Sequence, residues 1–302
     1  MYSPADVPVS PRAFHDSLYD GAVIRFGDLA PMAGLIAFTR AFLEEGLAPH
    51  APAEIHRHLD HGGQVETFSG LEKAFAQSAE VQRLWAGVFA GAGLDPGRIA
   101  RDKLHLRFQP HQDPGAGLPR TRSTATIAFH RDTWGSNLYA QVNWWAPVYP
   151  ITAGRTFAIF PDLWSRPVPN TSAAFDLEAV LARTRTAGRH AMSADDAIPH
   201  LSGEVDVGTI VPVVIDPGEV IAFSGAHAHA GVPNATGLTR ISLETRTLWI
   251  DDVRDGRGAP NLDGAAPWAA PGWFRRVSDG EKLTALLGVE AIEPYRGVPP
   301  PE

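Results

Sequence analysis

The chain has no cysteine and only three lysines among its 302 residues. Without cysteine it can form no disulfide, thiolate zinc site or iron–sulfur cluster, so any metal must be bound by His, Asp or Glu. Anionic residues outnumber cationic ones, with 34 Asp and Glu against 26 Lys and Arg, and the formal net charge is -8. Proteins that bind nucleic acid are usually basic, so this composition disfavours a nucleic-acid partner.

Long apolar runs are absent as well. No stretch approaches the roughly 20 apolar residues of a transmembrane helix, and the N-terminus has no basic segment followed by an apolar one, as a signal peptide would. We therefore expect a cytoplasmic protein without a transmembrane segment. The apolar fraction of 44% is ordinary for a globular protein, and the length is sufficient for a large buried core.

The first hundred residues have the apolar spacing of α-helices. One helix is predicted from Pro31 to Leu47, and the capping-box sequence Ser69–Glu72 predicts the start of a second. A third helix is predicted to end near Gly93. Its apolar stripe consists of Val81, Leu84, Trp85, Val88 and Phe89.

Between about residues 104 and 249 the apolar period is mostly two, which indicates β-strands separated by turns. Helices followed by many short strands favour a sandwich or barrel with a helical layer on one side. The predicted strands are Lys103–Phe108, Thr124–Asp132, Tyr139–Tyr149, Arg155–Phe160, Thr209–Ile215, Glu219–Phe223 and Thr239–Ile250.

We expect a single domain over residues 1–302. Its parts are a helical flank (1–100), a β core (101–250) and a C-terminal segment (251–302) with a short helix near Gly280–Leu287.

An insertion at residues 162–205 interrupts the core and carries a predicted helix at Phe175–Arg185. Insertions of this size in a barrel are often lids or substrate-binding segments. The arginines of this one would suit an anionic substrate, although a solvated surface is the simpler interpretation. They are Arg166, Arg183, Arg185 and Arg189.

Two His-x-Asp pairs occur, and their contexts differ. His130 and Asp132 end an alternating run, STATIAFHRD. On a strand, residues i and i+2 share a face, so both side chains would reach one metal ion. His58 and Asp60 lie in HRHLDHGG, which has no strand pattern and which we interpret as a solvated loop.

A second histidine would complete a known kind of metal site. Two histidines and one carboxylate can occupy one face of an iron(II) octahedron and leave three positions open. The candidates are His227 and His229, in the segment FSGAHAHAGVPN that follows a predicted strand. Because they are two residues apart, alternation alone does not separate them.

Five segments of the chain resemble the iron(II)- and 2-oxoglutarate-dependent oxygenases, in particular their phytanoyl-CoA-dioxygenase-like branch. They are FHRDTW, QVNWWAPV, TFAIFPDLW, DPGEVIAFSGAHAHAGVPN and TRISLETR. The resemblance covers about residues 104–250. It implies a mainly β fold with helices: a double-stranded β-helix, which is a jelly-roll or cupin-like barrel, flanked by N-terminal helices. It also implies Fe(II) and 2-oxoglutarate as cofactors and molecular oxygen as a co-substrate.

The resemblance selects between the two candidate histidines. The family pattern places an Asn five residues after the distal metal-binding His. His229 and Asn234 match this spacing, whereas His227 does not. The implied metal ligands, which are also the catalytic residues, are therefore His130, Asp132 and His229. His227 would then be structural or lie behind the ligands.

The same resemblance implies an anchor for 2-oxoglutarate. The family has an arginine ten to twelve residues beyond the distal His, and a Ser two residues later often shares the far carboxylate of 2-oxoglutarate. Arg240 and Ser242 stand at these positions. An arginine fork suits a buried carboxylate, and no lysine lies on the later core strands.

Supporting residues follow from strand alternation. Gln141, Asn143 and Trp145 share a face and would bind 2-oxoglutarate or line the substrate pocket; an ordinary half-buried strand is the alternative. Arg246 shares a face with Arg240 and would contact an anionic substrate or pair with Glu244, which we favour. A further candidate for the pocket wall is Trp134, against a surface aromatic.

Together these features predict an oxidoreductase that hydroxylates a small-molecule or sugar substrate and releases succinate and CO2. The carboxylate of Asp132 argues against a halogenase, because halogenases of this superfamily have Gly or Ala there, and it leaves hydroxylation or desaturation as the expected reaction. HRDTW and NWW bear a weaker resemblance to the Kdo 3-hydroxylases, which act on a lipopolysaccharide sugar. The alternative is a cupin-like barrel that binds a metal or a sugar without 2-oxoglutarate turnover.

Overall fold

A computed structural model describes residues 10–113, 115, 124–187 and 198–294. Its N-terminal part is helical, as predicted. The elements there are α1 (Pro11–Tyr19), β1 (Val23–Phe26), α2 (Ala30–Gly46), a 3-10 helix (Pro52–Arg57), α3 (His61–Gln77) and α4 (Ala79–Gly91). None of the helices in the described ranges is long and apolar enough to cross a bilayer.

Side-chain caps set the starts of three of these helices, and Ser10 begins α1 by accepting the Ala13 N–H at 3.2 Å. Asp60 begins α3 by accepting the Gly63 N–H at 2.7 Å, and Ser78 begins α4 by accepting the Val81 N–H at 3.4 Å. The predicted start at Ser69 is wrong, since this residue lies inside α3 and its hydroxyl donates to the Val65 carbonyl. His58 and Asp60 themselves are exposed and lie in the connection between the 3-10 helix and α3, as interpreted, whereas the residues on either side of them are helical.

The strands form two main antiparallel sheets. Besides β1, the larger contains β2 (Ile99–Arg101), β3 (His105–Gln109), β4 (Gln141–Pro147), β7 (Val220–Ser224), β9 (Arg240–Trp249) and β11 (Arg275–Arg276). The smaller contains β5 (Phe157–Ile159), β6 (Val211–Pro212) and β8 (His229–Gly231). The strand order is β1-β7-β4-β9-β2-β11 in the larger sheet, where β3 also pairs with β9, and β6-β5-β8 in the smaller. A separate pair joins β10 (Trp268–Ala269) to β12 (Glu293–Pro294).

Strand β4 is buried along its whole length because the larger sheet is covered on both faces. Val142 and Trp144 pack with the N-terminal helices in one core cluster. Trp145 points the other way and packs with Phe157 of the smaller sheet in another cluster. The predicted β core with a helical layer on one side is therefore confirmed, the antiparallel pairing is a finding of the structure, and closure into a double-stranded β-helix stays a prediction.

Six of the predicted strands have counterparts in the structure, but the run Thr124–Asp132 does not. Only His130 pairs there, through an isolated bridge to His229. The chain then turns, and Asp132 begins the short helix α5 (Asp132–Ser136). The Thr133 N–H bonds to the Gly225 carbonyl at 3.3 Å, which holds this turn in place.

The remaining predicted helices are present with shifted bounds. The insertion contains α6 (Leu177–Ala187), and the C-terminal part contains α7 (Ile250–Arg254) and α8 (Leu283–Leu287). The sequence analysis did not predict α1, β1 or α7.

Two buried histidines away from the predicted metal ligands make stability depend on pH. His15 packs 4.7 Å from the Trp249 ring, and His105 lies beside Asp102. Burial lowers the pKa of His15 to about 4 and that of His105 to about 3. In the unfolded chain the pKa of both would be about 6.5.

We expect acid to destabilise the metal-free protein. Between about pH 6.5 and about pH 4 the unfolded chain binds more protons, so the free energy of unfolding falls as the pH is lowered. Each histidine contributes up to about 1.4 kcal/mol per pH unit. Urea unfolding at several pH values measures this. His15→Gln should give a shallower dependence than wild type, whereas His58→Gln, at an exposed position, should not. Equal slopes for His15→Gln and wild type would contradict the expectation.

Candidate metal centre

His130 and His229 are held opposite each other by their own backbones. Each donates its N–H to the carbonyl of the other at 3.0 Å, and the two ring centroids are 4.3 Å apart. His229 also begins β8, which pairs with β5. The isolated bridge therefore attaches the segment around His130 to the smaller sheet.

Asp132 completes a group of three possible metal ligands. One ligand atom of each residue lies within 4.8 Å of the other two, and no other such group of three occurs among the described residues. The Asp132 carboxylate oxygens lie 3.7 Å from Nε2 of His130 and 3.7 Å from Nε2 of His229. The predicted ligands are thus brought together.

The hydrogen bonds of the two imidazoles favour metal binding through Nε2. Nδ1 of His130 lies 2.8 Å from the Ala128 carbonyl, and Nδ1 of His229 lies 3.0 Å from the His227 carbonyl. A carbonyl only accepts hydrogen bonds, so Nδ1 carries the proton and Nε2 keeps its lone pair. Two such nitrogens and a carboxylate oxygen are a donor set that suits Fe(II).

Two side chains hold the carboxylate of Asp132. Arg246 donates from its guanidinium to Oδ1 at 3.0 Å, and Asn143 donates from its amide to Oδ2 at 2.5 Å. Burial by itself raises the pKa of Asp132, but the charge of Arg246 and the contacts with both histidines lower it well below the usual value. The carboxylate is therefore ionised and fixed in orientation.

The two residues that hold Asp132 are themselves held by further hydrogen bonds. Arg246 also donates to Oδ2 of Asp102 at 2.9 Å, and Gln141 donates to the Asn143 side chain at 3.0 Å. The predicted pairing of Arg246 with Glu244 is wrong. Glu244 accepts instead from Arg107, at 3.0 Å across the β3–β9 pair.

Arg240 is buried in the same region without a carboxylate partner. Its side chain donates to the Thr156 carbonyl at 2.7 Å, while its Nε has no hydrogen-bond partner. No ion pair involves it within the described part of the chain. Burial lowers its pKa to about 10, so it remains a cation at neutral pH. Buried polar groups are normally satisfied, and this orphaned N–H is available to a ligand.

One cavity connects the three possible metal ligands with Arg240. Its walls contain aromatic side chains from both sheets. The lining residues that matter here are His130, Asp132, Asn143, Trp145, Phe157, Phe223, His229, Gly231, Arg240, Glu244 and Arg246. The predicted Asn143, Trp145 and Arg246 are therefore at the site.

Three predicted residues do not line this cavity. Gln141 lies behind Asn143, and the buried Ser242 has its hydroxyl 3.5 Å from Glu244. Trp134 is fully buried, and its indole N–H donates to Asp263 at 2.7 Å. The ring packs in a separate core cluster with residues of the insertion.

His227 is separated from the possible metal ligands by its own contacts. Its ring nitrogens lie 3.2 Å from the Ser224 carbonyl and 3.1 Å from the Gly21 carbonyl. Its ring also lies 4.4 Å from that of Trp164. Its contribution to the site is the backbone carbonyl that holds His229, which agrees with the structural role predicted for it.

Asp102 and Arg107 belong to the network around the site and were not identified from the sequence. Asp102 precedes β3 and bonds to Arg246 of β9, and Arg107 lies in β3 and bonds to Glu244 of β9. Both residues are far in sequence from the His-x-Asp motif. No local sequence signal marks such pairs, because strand register decides them.

The insertion is placed only in part. Leu163 and Val168 pack with Trp134, and Arg166 and Arg183 are exposed. None of its described residues lines the cavity. The side chain of Arg185 and the whole of Arg189 lie outside the described part of the chain.

No protein-family model matches the chain, and no curated protein matches it. Similar solved structures include the non-heme monooxygenase ThoJ in its apo form, with 14% identity, coverage of 78% of this chain and 77% of that one, and a TM-score of 0.46. EvdO2 from Micromonospora carbonacea var. aurantiaca, complexed with 2-oxoglutarate, has 12% identity, coverage of 78% and 89%, and a TM-score of 0.45. The non-heme alpha ketoglutarate dependent carbocyclase SnoK from nogalamycin biosynthesis has 14% identity, coverage of 96% and 94%, and a TM-score of 0.43. At this level of similarity, what the chain does is inferred from its own side chains.

Proposed function

We propose that the chain is an Fe(II)- and 2-oxoglutarate-dependent dioxygenase that hydroxylates a small-molecule or sugar substrate and releases succinate and CO2. The observation that carries this proposal is the cavity shared by the His130, Asp132 and His229 group and by Arg240. Arg240 is a buried cation in this cavity that has no carboxylate partner and whose Nε has no hydrogen-bond partner, and an anion bound there would satisfy both. 2-Oxoglutarate supplies a carboxylate for the arginine and, at its other end, a keto acid that chelates a metal.

The charges around the cavity support a divalent metal together with a dianion. Two arginines and two carboxylates line it, and one further arginine and one further carboxylate pair with these lining residues, so the charges of the protein groups cancel. They are Arg107, Arg240, Arg246, Asp102, Asp132 and Glu244. A divalent cation alone would leave a net charge in a buried site, which is costly. The dianion of 2-oxoglutarate would restore neutrality.

Each side chain has a distinct task in this proposal. Arg240 would fix the far carboxylate of 2-oxoglutarate and so orient the keto acid toward the ligands. Arg246 and Asn143 each bond to one oxygen of the Asp132 carboxylate and so fix its orientation toward the metal position. Trp145, Phe157 and Phe223 exclude water from the reacting groups. Bound Fe(II) would supply the redox chemistry that reduces molecular oxygen.

Within the described cavity Arg240 is the arginine without an ion pair, and the proposal assigns it to 2-oxoglutarate. An anionic substrate would therefore have to use groups outside this cavity, such as the exposed Arg166 and Arg183 of the insertion. A neutral, partly apolar substrate suits the aromatic wall better.

We expect the Fe(II)-loaded protein to bind 2-oxoglutarate without oxygen and to develop the visible charge-transfer band of the chelated keto acid. The measurement is an anaerobic titration followed by absorption. The matched control is 2-oxobutyrate, which has the keto acid but lacks the carboxylate for Arg240. It should bind at least tens of times more weakly, since a buried charged hydrogen-bond partner is worth roughly 2–5 kcal/mol. Metal binding with no response to 2-oxoglutarate would favour the cupin-like barrel instead.

A further inference from the structure

Arg131 stands between two of the possible metal ligands but makes its contacts elsewhere. Its side chain is almost completely buried. The guanidinium donates to the carbonyls of Ala226, Leu163 and Arg166, the last two at 2.7 and 2.9 Å, and to Asp263 at 3.1 Å. One side chain thus joins its own segment to three others, around residues 163–166, 226 and 263.

Asp263 is the anionic centre of this cluster. Its side chain is 6% exposed. Besides Arg131 it accepts the Trp134 indole N–H at 2.7 Å and the Val168 backbone N–H at 3.1 Å. Its backbone carbonyl accepts from Asn170 at 2.8 Å. The C-terminal segment therefore holds both α5, which begins at a possible metal ligand, and the start of the insertion.

The contact with Ala226 bears on the metal centre. The segments 130–133 and 225–229 are joined by the reciprocal bonds of His130 and His229 and by the bond from Thr133 to Gly225. The Arg131 side chain adds a further connection, to the carbonyl three residues before His229. Because a single guanidinium plane makes these bonds, the spacing of the two segments is fixed by its shape.

We propose that Arg131 and Asp263 form a positioning pair for the metal centre. The pair sets the distance between the segment carrying His130 and Asp132 and the segment carrying His229, and it connects that distance to the start of the insertion. This role rests on the proposed function, since it requires a metal at these three ligands. Neither residue lines the cavity, so the pair acts through the ligands and not on the substrate.

The test is the affinity of the metal-free protein for Co(II) together with the visible spectrum of the bound ion, which reports ligand geometry. The variants are Asp263→Asn and Arg131→Lys, neither of which can reproduce the charged fork. We expect each to lower Co(II) affinity by about 10- to 100-fold, as loss of groups that orient metal ligands does, and to change the spectrum.

Two control variants separate positioning from stability. Leu283→Ala removes a fully buried side chain from a different core cluster; it should lower the melting temperature without changing Co(II) affinity or spectrum. Arg276→Gln removes the exposed ion pair with Asp279 and should change neither. All titrations are made at a temperature where circular dichroism shows the metal-free variant to be folded.

The outcomes are distinct. If Asp263→Asn binds Co(II) within threefold of wild type with an unchanged spectrum, the pair is merely structural and the inference is overturned, whether or not Arg131→Lys folds. If wild type itself does not bind Co(II), the proposed function fails first. Normal Co(II) binding with no 2-oxoglutarate response overturns the cofactor assignment and leaves the positioning role intact.

Discussion

Replacing Asp132 with alanine is expected to abolish metal binding. The variant loses the only carboxylate of the three-residue group and leaves the imidazoles of His130 and His229 as the remaining ligands. The loss should exceed the roughly 10- to 100-fold that removal of a supporting hydrogen bond costs. The measurement is equilibrium binding of Fe(II), without oxygen, to the purified metal-free variant. His130→Ala and His229→Ala should behave in the same way.

The matched control for this experiment is His227→Ala. This residue belongs to the same sequence segment and is equally a histidine, but its ring bonds to the carbonyls of Ser224 and Gly21. Its removal should leave most of the metal affinity in place. Loss of Fe(II) in His227→Ala with retention in His229→Ala would show that the ligand assignment is wrong.

Arg240→Ala is expected to weaken 2-oxoglutarate binding by tens to thousands of times. Loss of a buried charged partner costs on the order of 2–5 kcal/mol, and Arg240 has no other anion to satisfy within the described residues. The dissociation constant is measured by anaerobic titration of the metal-to-ligand band. Fe(II) binding itself should change little, because Arg240 contacts none of the three ligands.

Arg155→Ala is the matched control for this variant. Arg155 is also buried, also lacks a carboxylate partner, and bonds to Thr236 and the Pro150 carbonyl outside the cavity. It should leave 2-oxoglutarate affinity unchanged. The Arg240 variant should further lose the ability to distinguish 2-oxoglutarate from 2-oxobutyrate. An unchanged dissociation constant for 2-oxoglutarate would remove Arg240 from the site.

Local spacing predicted a large part of the candidate site. The absence of cysteine limited metal ligands to His, Asp and Glu. His130 and Asp132 were chosen because they end an alternating run, although the structure has no strand there and Asp132 begins α5. Arg240 was chosen because it stands where the resembled family has an arginine. The helical layer and the strands were also predicted, because the apolar period changes from helical to alternating near residue 104.

The partners of the charged side chains depended on the tertiary structure. From the sequence, Glu244 is the nearest acid on the same face as Arg246, yet Arg246 pairs with Asp102 and Asp132. Glu244 pairs instead with Arg107 across β3 and β9. Strand register brings together residues more than a hundred positions apart, and no local period records it.

The choice between His227 and His229 also depended partly on the sequence and partly on the tertiary structure. Alternation alone gives His227 and His229 the same face, because they are two residues apart. The family spacing to Asn234 favoured His229, and the structure supplies the physical reason. The His227 ring is held between two backbone carbonyls, one of them from Gly21, whereas the His229 backbone bonds to that of His130. The sequence by itself determined which residue types could bind a metal, and only the contacts between distant segments decided which of them meet.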